Sequence, residues 1–95
     1  MSTTIKNTEK DGKGIFEAFV ENVKAGEMTY VKNQKRILII DHTEVDAQFG
    51  GKGIGKQLVE AAVAYARATH LKIMPLCPFA SKVTEGKEIY KDVLV

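Results

Sequence analysis

The stretch Phe49-Gly50-Gly51-Lys52-Gly53-Ile54-Gly55-Lys56-Gln57 decides the fold of this chain. It holds four glycines within six positions and leads into a run of residues with helical apolar periodicity. Glycine lets a backbone turn sharply and approach a ligand closely, and a helix start offers unpaired N–H groups at the positive end of the helix dipole. The stretch therefore predicts a helix start that binds a phosphate group through backbone amides. Lys52 and Lys56 add positive charge there.

Two other glycine-rich phosphate motifs fit this stretch poorly. Gly50 to Lys56 matches G-x-x-x-x-G-K, but Gln57 follows where a P-loop needs Ser or Thr to hold magnesium. The dinucleotide pattern fails because Leu58 stands where a third glycine is required, and no run of alternating strands and helices surrounds it. A pyrophosphate held by amides without a metal remains, as does the structural alternative of a flexible loop that starts a helix.

Length and composition exclude several classes of protein. The chain has 95 residues and a net charge of +2, so we expect one domain spanning residues 1–95. Its only cysteine, Cys77, excludes an internal disulfide framework and fits a reducing compartment. No apolar segment resembles a signal peptide or approaches membrane-spanning length, and the lysines form no basic stripe. We therefore expect a soluble, cytoplasmic protein that binds neither nucleic acid nor membranes.

The first half of the chain predicts four strands. Ile37-Leu38-Ile39-Ile40 is apolar on both faces of the pleat, so its strand should be central and covered on both sides. Turn residues separate the strands, and 10–13 is a hairpin signal. The expected strands are 4–9, 14–20, 27–33 and 36–45, with turns at 10–13, 24–26 and 33–35.

A long helix and a returning strand follow. Apolar residues recur at helical spacing from about Gly53 to His70, which predicts a helix about 27 Å long. Residues 71–77 then form a short strand, parallel to the strand before the helix. Pro75 cannot donate to a ladder, so this strand is at an edge or splays from its neighbour, and a splay would form a slot. Pro78 suits the first position of a helix, and a C-terminal helix is expected from Lys82 to about Lys91.

The run from Val45 to Gln57 resembles the acetyl-CoA loop of the GCN5-related N-acetyltransferase superfamily, written [RQ]-x-x-G-x-[GA]. Gly53 and Gly55 fall on the motif glycines, while Gly50 stands where the family usually has Arg or Gln. This departure removes a side-chain contact but leaves the amides in place. A register shifted by two positions also satisfies the pattern, with Gln48, Gly51 and Gly53.

The chain further resembles a small, compact subgroup of this superfamily, through His42-Thr43-Glu44-Val45 before the loop and Pro75-Leu76-Cys77-Pro78-Phe79 after the helix. The resemblance covers roughly residues 37–95. It implies an α/β fold with a mixed, mainly antiparallel sheet, a splayed parallel strand pair, one long crossover helix and a short C-terminal helix. It also implies acetyl-CoA or CoA as cofactor, with the pantetheine arm between the splayed strands. The implied cofactor-binding residues are Thr43, Val45, Gly50, Gly51, Lys52, Gly53, Ile54, Gly55 and Lys56.

Cys77 has the best chemical case among the candidate catalytic residues. A thiol at a helix N-terminus gains thiolate character, and thiolate attacks thioesters; the alternative is a buried, inert side chain. His42 and Glu44 lie two residues apart on a strand, hence on one face if no bulge intervenes. His42 could take a proton from Cys77 or from an acceptor amine, and Glu44 could do so through water. Their alternative roles are a backbone hydrogen bond for His42 and solvation for Glu44.

These observations together predict an acetyl-CoA-binding acyltransferase. Larger members of the superfamily insert one or two helices after the first strand, and these help to form the acceptor site. Here only Lys10-Asp11-Gly12-Lys13 separates the first two strands, so these helices are not expected. The acceptor is therefore left as an unidentified amine or thiol. The acetyl group would pass from acetyl-CoA to this acceptor, by way of Cys77 and without a metal. The alternative is a non-catalytic module that binds or senses acetyl-CoA or CoA.

Overall fold

The computed structural model describes residues 2–95 and contains one five-stranded sheet in the order β1-β2-β3-β4-β5. Neighbouring strands are antiparallel except for β4 and β5, which are parallel. This mixed α/β arrangement, with a parallel pair joined by a long helix, confirms the predicted fold class. The strands are β1 Thr3–Lys10, β2 Lys13–Val20, β3 Val23–Lys32, β4 Ile37–Val45 and β5 Lys72–Pro75. The helices are α1 Ile54–Thr69 and α2 Pro78–Thr84, with short 3-10 turns at Ala47–Phe49 and Glu88–Tyr90.

The turn between β2 and β3 lies earlier than the sequence predicted. Glu21 and Asn22 form it, with φ angles of 49° and 71°. Two successive positive φ angles match the twist of a two-residue hairpin, although Glu-Asn is not one of its usual sequences. The predicted turn at 24–26 is therefore wrong, and Ala25 and Gly26 are instead buried in β3.

Strand β4 is central, as predicted, but only one of its faces is fully covered. Leu38 and Ile40 are completely buried against the helices, whereas Ile37 and Ile39 are only partly buried. The helices α1 and α2 contact each other and lie on the Leu38 side of the sheet. The expectation of cover on both sides is wrong, because an apolar pleat face can also be shielded in part by its neighbours on the same sheet.

Helix α1 matches its predicted extent, with Gly53 and His70 as its caps. Both caps have left-handed backbone conformations, with φ angles of 74° and 60°. The guanidinium of Arg36 donates to the carbonyl oxygens of Thr69 at 2.6 Å and His70 at 3.2 Å. A cation at the C-terminal end of a helix stabilises its unpaired carbonyls. None of the helices in residues 2–95 is long and apolar enough to cross a membrane.

The C-terminal region differs from the prediction of a helix over residues 82–91. Helix α2 ends at Thr84, because Glu85 leaves the helical conformation and Gly86 has a φ of 68°. Tyr90 packs in the core, with 3% of its surface exposed. The last residues of the chain then bond to Ile73 on the outer side of β5. Strand β5 is therefore covered on both edges, and Pro75 marks the point where it leaves β4.

Candidate functional site

The glycine-rich segment forms an open turn between β4 and α1. It begins at Asp46, whose carboxylate accepts a hydrogen bond from the N–H of Gln48 at 3.0 Å. The backbone then bends through Gly51 and Gly53, whose φ angles are 77° and 74°. Residues other than glycine rarely adopt these backbone angles. A Cβ at either glycine would meet no atom within 4 Å, so both positions border open space.

The backbone N–H groups from Gly51 to Lys56 have no hydrogen-bond partner among the described residues. The backbone N–H groups on either side of this run do have partners. The Gly50 N–H donates to Ala47 O at 3.1 Å, and the Gln57 N–H donates to Gly53 O at 3.0 Å. The first turn of α1 contains no acidic residue. Lys52 and Lys56 are exposed. An anion placed here would satisfy several donors at the positive end of the helix dipole.

Gly26 of β3 lets the start of α1 approach the sheet. A Cβ at Gly26 would lie 2.9 Å from the Glu44 carbonyl oxygen and 3.3 Å from Cγ2 of Ile54, the first residue of α1. The Asp46 N–H also donates to the Ala25 carbonyl oxygen at 2.8 Å. The beginning of β3 thus anchors both ends of the glycine-rich turn, which holds the free amides beside the last residues of β4.

The expected splay between β4 and β5 begins after Ile40. Pairing joins Ile37–Ile40 to Lys72–Pro75, and beyond it β4 pairs only with β3. The Ile40 carbonyl oxygen accepts hydrogen bonds from both the Leu76 N–H at 2.9 Å and the Cys77 N–H at 3.0 Å. These bonds turn the chain away from the sheet and into α2. Pairing between β4 and β5 therefore ends here, and we call this break in the sheet, between residues 41–45 of β4 and the chain that leads into α2, the gap; the glycine-rich turn follows at the end of β4.

Cys77 borders this gap at the point where the strands part. Its Sγ lies 3.3 Å from Oγ1 of Thr43, and 5% of the residue's surface is exposed. Burial raises the pKa of the Cys77 thiol. Hydrogen bonds with the Thr43 hydroxyl and with the backbone N–H groups of Ala80, Phe79 and Thr43 outweigh burial, so the pKa lies below its usual value. The side chain is thus buried and has a lowered pKa, which combines features of the two alternatives that the sequence left open.

A bulge in β4 decides which side chains share a face. Thr29 pairs with His42 and Tyr30 with Ile40, so Asp41 is the extra residue. After the bulge, Thr43 lies on the helix side, because it contacts Cys77. His42 and Glu44 alternate with Thr43 and lie on the opposite face. Their side chains are 59% and 73% exposed, and His42 Nε2 is 3.8 Å from Glu44 Oε2.

The structure therefore groups His42 with Glu44 but does not bring His42 to Cys77. The expectation that His42 takes a proton directly from Cys77 needs correction, because strand alternation places Thr43 at the thiol and His42 on the other side of the sheet. Both His42 and Glu44 remain accessible to a molecule that approaches this uncovered face.

The remaining predicted contacts lie along the gap. Val45 is half-buried opposite Gly26 at the end of β4. Gly50 is exposed, with an extended backbone (φ −60°, ψ 145°) that residues other than glycine also adopt. Sequence reasoning assigned no role to Phe79, whose ring packs against Gly55 in the first turn of α1. The signal was an aromatic residue two positions after Cys77, combined with a glycine inside a helix, where glycine is unfavourable.

The sheet is mixed and contains one splayed parallel pair, and the helix that joins this pair has free N-terminal amides. This arrangement is that of an N-acetyltransferase-like protein. The family model described as GCN5-related N-acetyl-transferase matches residues 15–93, and the chain belongs to this family. A GCN5-like protein from Staphylococcus aureus, whose solution structure is known, is 34% identical. That match covers 95% of this chain and 87% of the other, with a TM-score of 0.69.

Two further solved structures contain coenzyme A or its acetyl form. A Bacillus anthracis protein, named as a streptothricin acetyltransferase and solved with acetyl coenzyme A, is 26% identical over 70% of this chain and 39% of its own, with a TM-score of 0.61. A Bacillus subtilis acetyltransferase solved with CoA is 18% identical over 78% of this chain and 64% of its own, with a TM-score of 0.67, and shares the fold. The chain spans less than two thirds of the length of either protein. A search of the curated proteins found no match.

Proposed function

We propose that this chain, acting as one domain over residues 1–95, binds acetyl-CoA and transfers the acetyl group to an amine or thiol acceptor. The observation that carries the proposal is the run of free amides from Gly51 to Lys56 beside the gap between β4 and β5. Membership of the family supports it, as do the two structures with bound acetyl coenzyme A or CoA. A free thiol at Cys77 is consistent with a reducing, cytoplasmic setting.

The residues around the gap fit the chemistry of CoA. Its pyrophosphate requires hydrogen-bond donors and positive charge, which the free amides, Lys52 and Lys56 supply. The turn at Gly51 and Gly53 leaves open the space where side chains would otherwise stand. The pantetheine arm would then follow residues Thr43 to Val45 of β4, in the part of the gap that β5 leaves unpaired.

Cys77 is the proposed first acceptor of the acetyl group. Its thiolate attacks the thioester carbonyl carbon, a bond forms between the Cys77 sulfur and this carbon, and the bond to the CoA sulfur breaks. The CoA thiolate leaves and takes up the proton that the Cys77 thiol released. The hydrogen bonds from Thr43 and from the start of α2 favour the thiolate form before the attack.

His42 and Glu44 are proposed to serve the second transfer. An acceptor amine attacks the S-acetyl group, the bond to the Cys77 sulfur breaks, and Cys77 is regenerated. The amine must lose a proton, and His42 lies on the opposite face from Cys77, so His42 would accept it through water around the edge of β4 that β5 leaves unpaired, with Glu44 beside it at 3.8 Å. The two residues would thus act on the acceptor rather than on the thiol of Cys77.

The alternative function is a module that binds acetyl-CoA or CoA without turnover. Two observations favour it. Cys77 is 5% exposed, and the short turn between β1 and β2 provides no helices to surround an acceptor. Release of free CoA in the presence of amines separates the two functions, because a binding module would release none.

Gly53→Ala should weaken the binding of acetyl-CoA by roughly tenfold or more. Gly53 has a φ of 74°, and an alanine there would strain the turn and displace the amides that hold the pyrophosphate. A titration followed by residue-resolved NMR should show shifts centred on the N–H groups of Gly51 to Lys56. Gly86→Ala is a matched control, since Gly86 has a φ of 68° and also borders open space, but lies outside the site. Equal affinity of wild-type and Gly53→Ala proteins would refute this site.

Binding should also weaken with salt, because exposed lysines and backbone amides hold the cofactor without an arginine. Gly50→Arg should tighten binding about threefold to tenfold, the range of one partly solvated charge-assisted hydrogen bond. The backbone of Gly50 suits other residues, but a Cβ would lie 3.2 Å from Ala47 O, so this carbonyl must shift by a few tenths of an ångström. Gly50→Gln is the uncharged control. Calorimetry at two ionic strengths tests both effects, and a salt-independent affinity would contradict this account.

A further inference from the structure

The ring of Phe79 occupies the space beside the first turn of α1. A Cβ built at Gly55 would lie 2.4 Å from Cζ and 2.7 Å from Cε2 of this ring, which is closer than any real contact. Gly55 is buried, whereas Phe79 keeps 42% of its surface exposed. One edge of the ring therefore packs against Gly55, while the rest of the ring stays accessible to solvent beside the first turn of α1.

Phe79 is also connected to the other end of the gap. It is the second residue of α2, and Cys77 is the N-cap of the same helix, two positions earlier in the chain. The side chain of Phe79 thus packs against the phosphate-binding turn, while its backbone belongs to the first turn of the helix that begins at Cys77. Its exposed apolar ring therefore lies beside the turn that the proposed function assigns to the pyrophosphate, on the helix that begins at the thiol assigned to the thioester.

We propose that the Phe79 ring is the wall against which the pantetheine arm packs between the amides of Gly51 to Lys56 and Cys77. The requirement for glycine at position 55 then follows, because a side chain there would push the ring out of place. This inference rests on the proposed function and adds a positioning residue to it. The methyl and methylene groups of pantetheine gain from contact with an apolar ring, whereas the nucleotide part of CoA does not reach it.

Two ligands separate the ring's effect from that of the phosphate site. CoA contains both the pyrophosphate and the pantetheine arm, whereas adenosine 5′-diphosphate contains the adenosine and the pyrophosphate without the pantetheine arm. Phe79→Ala should weaken CoA binding about fivefold to tenfold, through the loss of apolar contact, and change the affinity for adenosine diphosphate less than twofold. Leu76→Ala, which truncates another exposed apolar residue beside Cys77, should change neither affinity. Binding is measured by NMR titration, and the unliganded spectra report folding.

A double substitution tests the seat of the ring. Gly55→Ala should weaken the binding of both ligands, because the displaced ring distorts the first turn of α1. Adding Phe79→Ala should restore adenosine diphosphate binding but not CoA binding. Equal losses of the two ligands in Phe79→Ala would overturn the inference, since the ring would then act only through the turn. Tighter CoA binding would also overturn it, because the ring would then block the gap. If the wild-type protein binds neither ligand, the proposed function fails, and this inference fails with it.

Discussion

Incubation with acetyl-CoA should add one acetyl group to Cys77, and the Cys77→Ser variant should stay unmodified. The thiol borders the gap between β4 and β5, and hydrogen bonds hold its pKa below the usual value, so attack on a thioester is favoured. Intact mass measurement gives the number of acetyl groups, and peptide mapping gives their position. If Cys77 stays unmodified while NMR shows bound acetyl-CoA, covalent catalysis is excluded. Direct transfer or binding without turnover then becomes the better account.

The dependence of this labelling on pH tests the physical cause. The thiolate, which is the reactive form, should persist to lower pH than in an ordinary cysteine, because the pKa of Cys77 is lowered. The rate of Cys77 acetylation should therefore rise with pH and level off at a lower pH than for a free cysteine. Thr43→Val removes the hydroxyl that lies 3.3 Å from Sγ and should move this profile to higher pH. An unchanged profile would mean that the Thr43 hydroxyl does not stabilise the thiolate.

Much of the fold follows from local patterns in the sequence. The apolar residues of α1 recur at helical spacing, and the glycines before this run mark where the helix begins. A strand, a helix and a second strand in this order leave little choice of topology, which is why the parallel pair of β4 and β5 was predictable. Pro75 also indicated the splay, because a residue without an N–H cannot extend the ladder.

The features that the sequence did not predict depend on tertiary contacts. The bulge at Asp41 arises from the pairing of β4 with β3, yet it decides which of the neighbouring side chains face Cys77. The turn at Glu21 and Asn22 has no strong turn sequence. The contact between Phe79 and Gly55 joins residues far apart in the chain, so neither position alone indicates it.

His42→Asn should slow transfer of the acetyl group from Cys77 to an amine by about 10²–10⁴-fold, the usual contribution of general base catalysis. It should leave the acetylation of Cys77 itself unchanged within about twofold, since Thr43 and not His42 contacts the thiol. The assay starts from protein already acetylated at Cys77 and freed of CoA. Mass spectrometry then follows the loss of the acetyl group after addition of cadaverine, a small diamine.

His70→Asn is the matched control for this prediction, because His70 lies at the far end of α1 and Asn tolerates its left-handed backbone. It should change neither step. If His42→Asn slows the acetylation of Cys77 instead, His42 acts on the thiol, and the assignment of the two faces of β4 to two separate steps is wrong. If it slows neither step, the exposed pair of His42 and Glu44 contributes to solvation of the uncovered face rather than to transfer. The two histidine variants therefore decide whether one side of the sheet activates the donor while the other activates the acceptor.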